Sequence, residues 1–94
     1  MTPRAQQIAA LILSFPFLQG DRPNEADAAY IAEYIDGYAP HSHEWEPEDI
    51  DAEIRSVSFA GDGGPERFSV HDVFNWTQDT VERLARHIHA GVTV

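Results

Sequence analysis

Apolar residues recur at helical spacing in the first part of the chain. Thr2 can cap a helix there, and Pro3 would occupy the first helical position, where its missing N–H costs nothing. Pro16 should stop or kink this helix, so that the stretch from Phe15 to Leu18 forms an apolar corner. The residues that share one face at a spacing of about 3.6 are Ile8, Leu11, Ile12 and Phe15.

A second helix is predicted over residues 25–38, with Asp21 or Asn24 as its cap and Gly37 near its end. Its tyrosines recur every fourth residue, so they could form a contact surface. The more common arrangement is that such tyrosines are half-buried and keep their hydroxyls hydrated. The stripe that we expect to be buried consists of Tyr30, Ile31, Tyr34, Ile35 and Tyr38.

The middle of the chain allows two interpretations. Pro47 suits the first turn of a third helix, whose apolar strip would be Ile50, Ile54 and Val57. The alternation of apolar and polar residues over 50–59 fits a strand nearly as well, and residues 56–70 could form a β-hairpin that turns at Asp62 and Gly63.

The last segment predicts one helix that begins at Ser69 and ends at Gly91. Ser69 and Asp72 fit a capping box, and Phe68 and Val73 are placed as a hydrophobic staple. On the outer face, Asp79 with Arg83 and Glu82 with Arg86 stand four residues apart in the favourable order. The unbroken apolar stripe consists of Val70, Val73, Phe74, Thr77, Val81, Leu84 and Ile88.

These elements predict a single domain over residues 1–94, an all-α bundle of three to four helices. The alternative is an α+β fold with one β-hairpin around residues 54–71. No apolar run approaches the roughly 20 residues of a membrane span, and no signal-peptide pattern is present, so we expect a soluble cytoplasmic protein. The absence of cysteine excludes disulfides, a thiolate nucleophile and zinc sites that use cysteine.

The charge balance narrows the class of partner. The chain has 16 acidic residues, six arginines and no lysine, and its formal net charge is −10. Residues 20–66 hold thirteen of the acids against Arg22 and Arg55. Direct binding to nucleic acid or to an anionic membrane is disfavoured, because binding to phosphates requires cationic side chains. The expected partners are basic or neutral proteins.

Six of the carboxylates lie in ten residues, 44–53, next to a tryptophan. If 47–57 is helical, Asp49 and Glu53 flank the apolar strip while Glu48 and Asp51 point outward. Like charges at this spacing destabilise a helix slightly, and only Arg55 is available to relieve them. Such a patch can steer a basic partner, although acidic surfaces also simply keep small proteins soluble, and the tryptophan could be a lid over the core. The candidate partner-binding residues are Glu44, Trp45, Glu46, Glu48, Asp49, Asp51 and Glu53.

Five histidines raise the question of a metal site. His41 and His43 stand beside Glu44, but His87 and His89 would point about 200° apart on a helix. Imidazolium near a helix C-terminus is favoured by the macrodipole, which gives a simpler reason for the second pair. His71 has no explanation in the sequence. We expect no metal ion and no cofactor.

No motif identifies a reaction. The glycines of Gly61 to Pro65 lack the lysine of a phosphate-binding loop and are typical of a turn. Ser69 and His71 lack an acidic residue at a fixed geometry, so a catalytic triad is not indicated. We expect a protein without enzymatic activity.

The sequence therefore predicts a small acidic binding protein. It would engage a basic protein or a nucleic-acid-binding protein through its acidic patch, as an inhibitor or a nucleic-acid mimic, and its composition is like that of small acidic phage inhibitors. One alternative is a structural or adaptor subunit, a possible homodimer, that associates through the Phe15–Leu18 corner or through the tyrosines of residues 25–38. Another is a metal-binding module of histidine and carboxylate ligands.

Overall fold

A computed structural model describes residues 2–18, 20–38, 45–61 and 64–92. Within these ranges the chain forms five helices and one short antiparallel ladder, which confirms the helical class and shows that the hairpin of the alternative fold is also present. The elements are α1 Pro3–Ser14, α2 Glu25–Tyr38, α3 Pro47–Ser56, β1 Phe59–Ala60, β2 Arg67–Phe68, α4 Val70–Phe74 and α5 Gln78–Gly91.

The helix starts follow the capping residues in the sequence. The Thr2 hydroxyl accepts a hydrogen bond from the Ala5 amide at 3.0 Å, and the Asn24 side chain accepts one from the Asp27 amide at 2.8 Å. Asn24, and not Asp21, therefore caps α2. Helix α1 ends at Ser14, just before Pro16, as its sequence predicts.

Residues 47–56 are helical, so the strand interpretation of Ile50 to Ile54 is wrong. Strand pairing begins only after this helix, where Phe59 lies opposite Phe68 and Ala60 lies opposite Arg67. The turn predicted at Asp62 and Gly63 lies outside the described residues. The hairpin is thus shorter than the sequence pattern suggests.

The prediction of one unbroken helix from Ser69 to Gly91 is wrong, which is why the described ranges hold more helices than expected. Asn75 adopts the left-handed conformation, with φ 60° and ψ 30°, and ends α4. Thr77 then caps α5, because its hydroxyl accepts a hydrogen bond from the Thr80 amide at 3.2 Å. This break turns the Trp76 side chain into the core, where only 1% of it is exposed.

The end of α5 also differs from the prediction. Gly91 is the last residue of the helix, and Val92 is the C-cap. A side chain at Gly91 would collide with the methyl groups of Leu11 on α1. This glycine therefore permits close packing of α5 against α1 and does not supply a left-handed turn.

Tyr30 and Tyr34 of the predicted stripe on α2 are half-buried and lie outside the core, whereas the isoleucines of the same stripe are fully buried. Ile31 and Ile35 are buried together with two alanines, Ala28 and Ala32. The buried face of α2 therefore includes Ala28 and Ala32, and the tyrosines lie outside it. Tyr30 is 40% exposed and Tyr34 is 38% exposed. The side chain of Tyr38, which was also predicted to be buried, lies outside the described part of the chain.

A row of aromatic rings crosses the core and joins the loop after α1 to the hairpin. Neighbouring ring centroids lie between 4.9 and 5.6 Å apart. Because Phe15 and Phe17 point inward, the corner that was considered for self-association exposes Leu18 as its one large apolar side chain. The rings, in order, are Tyr30, Phe59, Phe74, Trp76, Phe17 and Phe15.

Candidate protein-binding surface

Helices α2 and α3 carry an excess of negative charge. Each holds four acidic residues, and Arg55 is the one basic residue in the two helices. The two helices pack against each other, and the Tyr30 hydroxyl of α2 donates to the Ser58 carbonyl just after α3. The two acidic helices are therefore neighbours in the fold.

The predicted patch of α3 is only partly free. Glu46 and Glu48 are exposed at the start of the helix. Asp49 is partly buried, and its carboxylate accepts a hydrogen bond from the Glu46 amide at 3.0 Å, which fixes the first turn. Asp49 flanks the apolar strip, as predicted. Glu44 lies outside the described residues.

Asp51 does not point freely into solvent, and the prediction for this residue is wrong. Its side chain is only 14% exposed and lies 3.0 Å from the Arg55 guanidinium, four residues further along α3. Its second oxygen accepts a hydrogen bond from Gln78 of α5 at 3.4 Å. Asp51 therefore joins α3 to α5, and Arg55 neutralises its charge.

Glu53 lies on the flank of α3 opposite to Asp51 and is partly buried, as expected for a residue beside the apolar strip. Its burial disfavours the ionised form and raises the pKa of the Glu53 carboxyl above its usual value.

Replacing Glu53 with glutamine should therefore stabilise the protein near pH 7, by about 0.5 kcal/mol, the scale of single substitutions near the surface. A carboxyl with a raised pKa in the folded state costs stability as the pH rises through its unfolded and then its folded pKa. The gain should thus vanish below about pH 4, where Glu53 is protonated in both states. Urea unfolding at both pH values measures it. Glu48→Gln, at an exposed site, is the matched control, and an equal gain for both variants would contradict this account.

Trp45 acts largely as part of the scaffold. Its side chain is partly buried against the core, and the guanidinium of Arg4 lies over its ring, 4.6 Å from the centroid. Its carbonyl accepts a hydrogen bond from Nε2 of His89 at 2.7 Å. The position of Trp45 agrees with the lid that was the alternative to an interface anchor.

The histidines of the described residues each donate a hydrogen bond inside the fold. Nδ1 of His71 donates to the Trp76 carbonyl at 3.0 Å, which closes the turn between α4 and α5 and explains this residue. His87 donates to the Ser14 hydroxyl at 3.1 Å, because that hydroxyl itself donates to the Leu11 carbonyl. No group of three potential ligands close enough to hold a metal ion occurs in the described ranges. His41 and His43 lie outside them.

Ser69 and His71, considered as a catalytic pair, have separate roles. The Ser69 hydroxyl interacts with Asp72 in the capping box of α4, which confirms that prediction. The hydrogen bonds from Ser69 lower the pKa of the Asp72 carboxyl. On α5, Asp79 pairs with Arg83 at 3.0 Å as predicted, whereas Glu82 accepts a hydrogen bond from Gln78 at 3.3 Å.

A shallow groove of about 210 Å³ runs between α3 and α5. Carboxylates of both helices line the groove together with Arg86. The buried residue Ala85 forms an apolar part of its wall. A groove of this kind accepts the extended stem of a basic side chain, because the stem is apolar and its head is cationic. The acidic lining residues are Glu48, Asp51 and Glu82.

Sequence reasoning missed the contribution of α2 to this surface. The acids of α2 were counted in the general excess of charge, and its tyrosines were considered as half-buried residues or as a surface for self-association. Glu33 and Tyr34 are consecutive exposed residues, and Tyr30 lies one turn before them, at the spacing that makes it a neighbour of both on the helix surface. The signal that could have found them is the pair Ala28 and Ala32, which marks a second and better-suited face for close helix packing.

No helix in the described ranges combines the length and the apolar character that crossing a membrane requires. Comparisons with protein-family models, with curated proteins and with solved structures find no match to this chain.

Proposed function

We propose that this protein binds a basic protein surface through the acidic surface of α2 and α3, in the manner of an inhibitor or a nucleic-acid mimic. The observation that carries the proposal is the charge imbalance of the two packed helices, with four acids in each and one arginine between them. We define the acidic surface as five exposed or partly exposed carboxylates of these helices and of the cap of α3: Glu25, Asp27, Glu33, Glu46 and Glu48.

The internal pairing of the other acids supports this choice. Arg4 neutralises Asp36 on α2 and Arg55 neutralises Asp51 on α3, so two of the chain's six arginines are already used at the edges of the surface. The five carboxylates of the acidic surface form no ion pair with a described residue, and their mutual repulsion costs stability. A partner that carries lysine or arginine would relieve this repulsion and be steered towards the surface, faster at low salt than at high salt.

Charge reversal tests the proposal. The double variant Glu33→Lys/Glu48→Lys should bind its partner at least about tenfold more weakly than the wild type, because two attractive contacts become repulsive. The matched control, Gln6→Lys/Ala10→Lys/Glu66→Lys, raises the net charge by the same amount at exposed positions outside both helices. It should bind nearly as well as the wild type.

The measurement is affinity capture from the source cell with all three proteins, in about 0.05 M and about 0.5 M salt, where screening differs strongly. The proposal expects basic proteins that the wild type and the control retain, that the double variant loses, and that high salt releases. Equal loss with the control and the double variant would show that only net charge matters. If no captured protein shows this pattern, the proposal is contradicted.

A further inference from the structure

The outward face of α2 presents two tyrosine rings within the acidic surface. Tyr30 and Tyr34 are 40% and 38% exposed and stand one turn apart, with Glu33 exposed beside them. Tyrosine combines a large apolar ring with little conformational freedom, which is why it anchors protein interfaces. This face therefore offers more than charge to a partner.

Tyr30 is held in place before any partner arrives. Its hydroxyl donates to the Ser58 carbonyl at 2.7 Å, and its ring packs on Phe59 with centroids 5.2 Å apart. Tyr34 has no hydrogen bond or ring contact to any residue in the described part. One ring is thus a fixed support, and the other is available to a partner.

The fold itself shows how such a combination captures a cation. The guanidinium of Arg4 lies 4.6 Å from the centre of the Trp45 ring, while its Nε lies 2.6 Å from the Asp36 carboxylate. An arginine is therefore held by an aromatic face and a carboxylate together. Arginine suits this arrangement better than lysine, because its planar guanidinium can stack on a ring and still donate hydrogen bonds at its edge.

We propose that Tyr34 and Glu33 receive an arginine side chain of the partner, with Tyr30 as the rigid neighbouring support. This inference rests on the proposed function and specifies the chemistry of the partner, which is an arginine-bearing segment of a basic protein. The negative charge of this face favours a cationic side chain, because Glu33 and the other acids along α2 disfavour an anionic or purely apolar partner. A lysine side chain would be attracted by the same negative charge, but it would lose most of the stacking on the tyrosine ring.

The test compares two synthetic peptides that alternate alanine with arginine or with lysine, titrated by fluorescence anisotropy at low salt. Wild-type protein should bind the arginine peptide about fivefold more tightly than the lysine peptide, the ratio that a cation–π contact supplies. Tyr34→Phe keeps the ring and should preserve this preference. Tyr34→Ala should reduce the ratio to about one while binding to the lysine peptide changes little. Circular dichroism of each variant checks that the fold is intact.

The outcomes separate this inference from the proposed function. An equal affinity for both peptides in the wild type, with binding still lost in Glu33→Lys/Glu48→Lys, would overturn the arginine site and leave the acidic surface standing. An unchanged preference in Tyr34→Ala would do the same. Failure of the wild type to bind either peptide would contradict both. Leu18→Ala, which shortens an exposed apolar side chain away from α2, should have no effect on either affinity.

Discussion

Replacing Trp76 with alanine should lower the free energy of unfolding by about 3–5 kcal/mol, the range for large aromatic residues in a core. Its side chain is 1% exposed and stacks on Phe17, with centroids 5.1 Å apart and planes 9° apart, and on Phe74 at 5.0 Å. Its indole N–H donates to the Asp21 carbonyl at 2.7 Å. Alanine would leave a cavity in the middle of the aromatic row and an unsatisfied carbonyl. Urea unfolding followed by circular dichroism measures the loss.

Trp76→Phe separates packing from hydrogen bonding. Phenylalanine keeps a ring between Phe17 and Phe74 but cannot donate to Asp21, so we expect a smaller loss of about 1–2 kcal/mol. A loss below about 1 kcal/mol for the alanine variant would contradict the central place of Trp76 in the core.

Replacing Arg4 with methionine should cost about 2 kcal/mol near neutral pH, a value typical of a hydrogen bond between charged groups. Arg4 joins α1 to α2 through the Asp36 carboxylate at 2.6 Å and also covers Trp45. Methionine keeps the length of the stem but leaves Asp36, whose side chain is 16% exposed, without its cationic partner. The matched control is Arg83→Met, because the ion pair of Arg83 with Asp79 is 65% exposed on both sides and should contribute little.

The Arg4 contribution has a definite pH dependence. The hydrogen bond from Arg4 is the largest of the effects that lower the pKa of the Asp36 carboxyl, and a second one comes from Thr2. A group whose pKa is lowered by folding stabilises the protein above its unfolded pKa and loses this effect as the pH falls through the folded pKa. The difference between wild type and Arg4→Met should therefore be full above about pH 5 and shrink below about pH 4. A difference that does not depend on pH would assign the effect of Arg4 to packing alone.

The parts of the fold that local chemistry determines could be predicted from the sequence. Thr2, Pro3, Asn24 and the Ser69–Asp72 pair act within one helical turn, so the residue types alone indicate where helices begin. The apolar strip of Ile50 and Ile54 is buried as its spacing predicts.

Features decided by tertiary packing could not be predicted in this way. The apolar stripe in the sequence runs on through Asn75, but in the structure the chain turns there, Val73 and Thr77 of that stripe are exposed, and Trp76 is buried instead. Exposure of Tyr30 and Tyr34 depends on how closely α1 approaches Ala28 and Ala32. The neutralisation of Asp51 combines a local pair with Arg55 and a contact from Gln78, which is distant in sequence.

These same contacts redefine the acidic surface. Segment 44–53 was expected to supply all of the partner-binding residues, but Asp51 and Trp45 have structural partners, and Glu53 is partly buried. Exposed carboxylates lie on α2 as well, at Glu25 and Glu33, in addition to Glu46 and Glu48 at the start of α3. The proposed partner surface therefore belongs to two packed helices and not to one segment of sequence.

The most direct test is to map the bound surface on isotopically labelled protein by the changes in its amide NMR signals, with the arginine peptide or a captured basic protein as the partner. The account predicts that the largest changes occur in α2 and α3, around Glu33, Tyr34 and Glu48, and that they diminish as salt is added. Changes centred on Leu18, or on Phe68 and Val73 beside the hairpin, would place the binding surface elsewhere and contradict it.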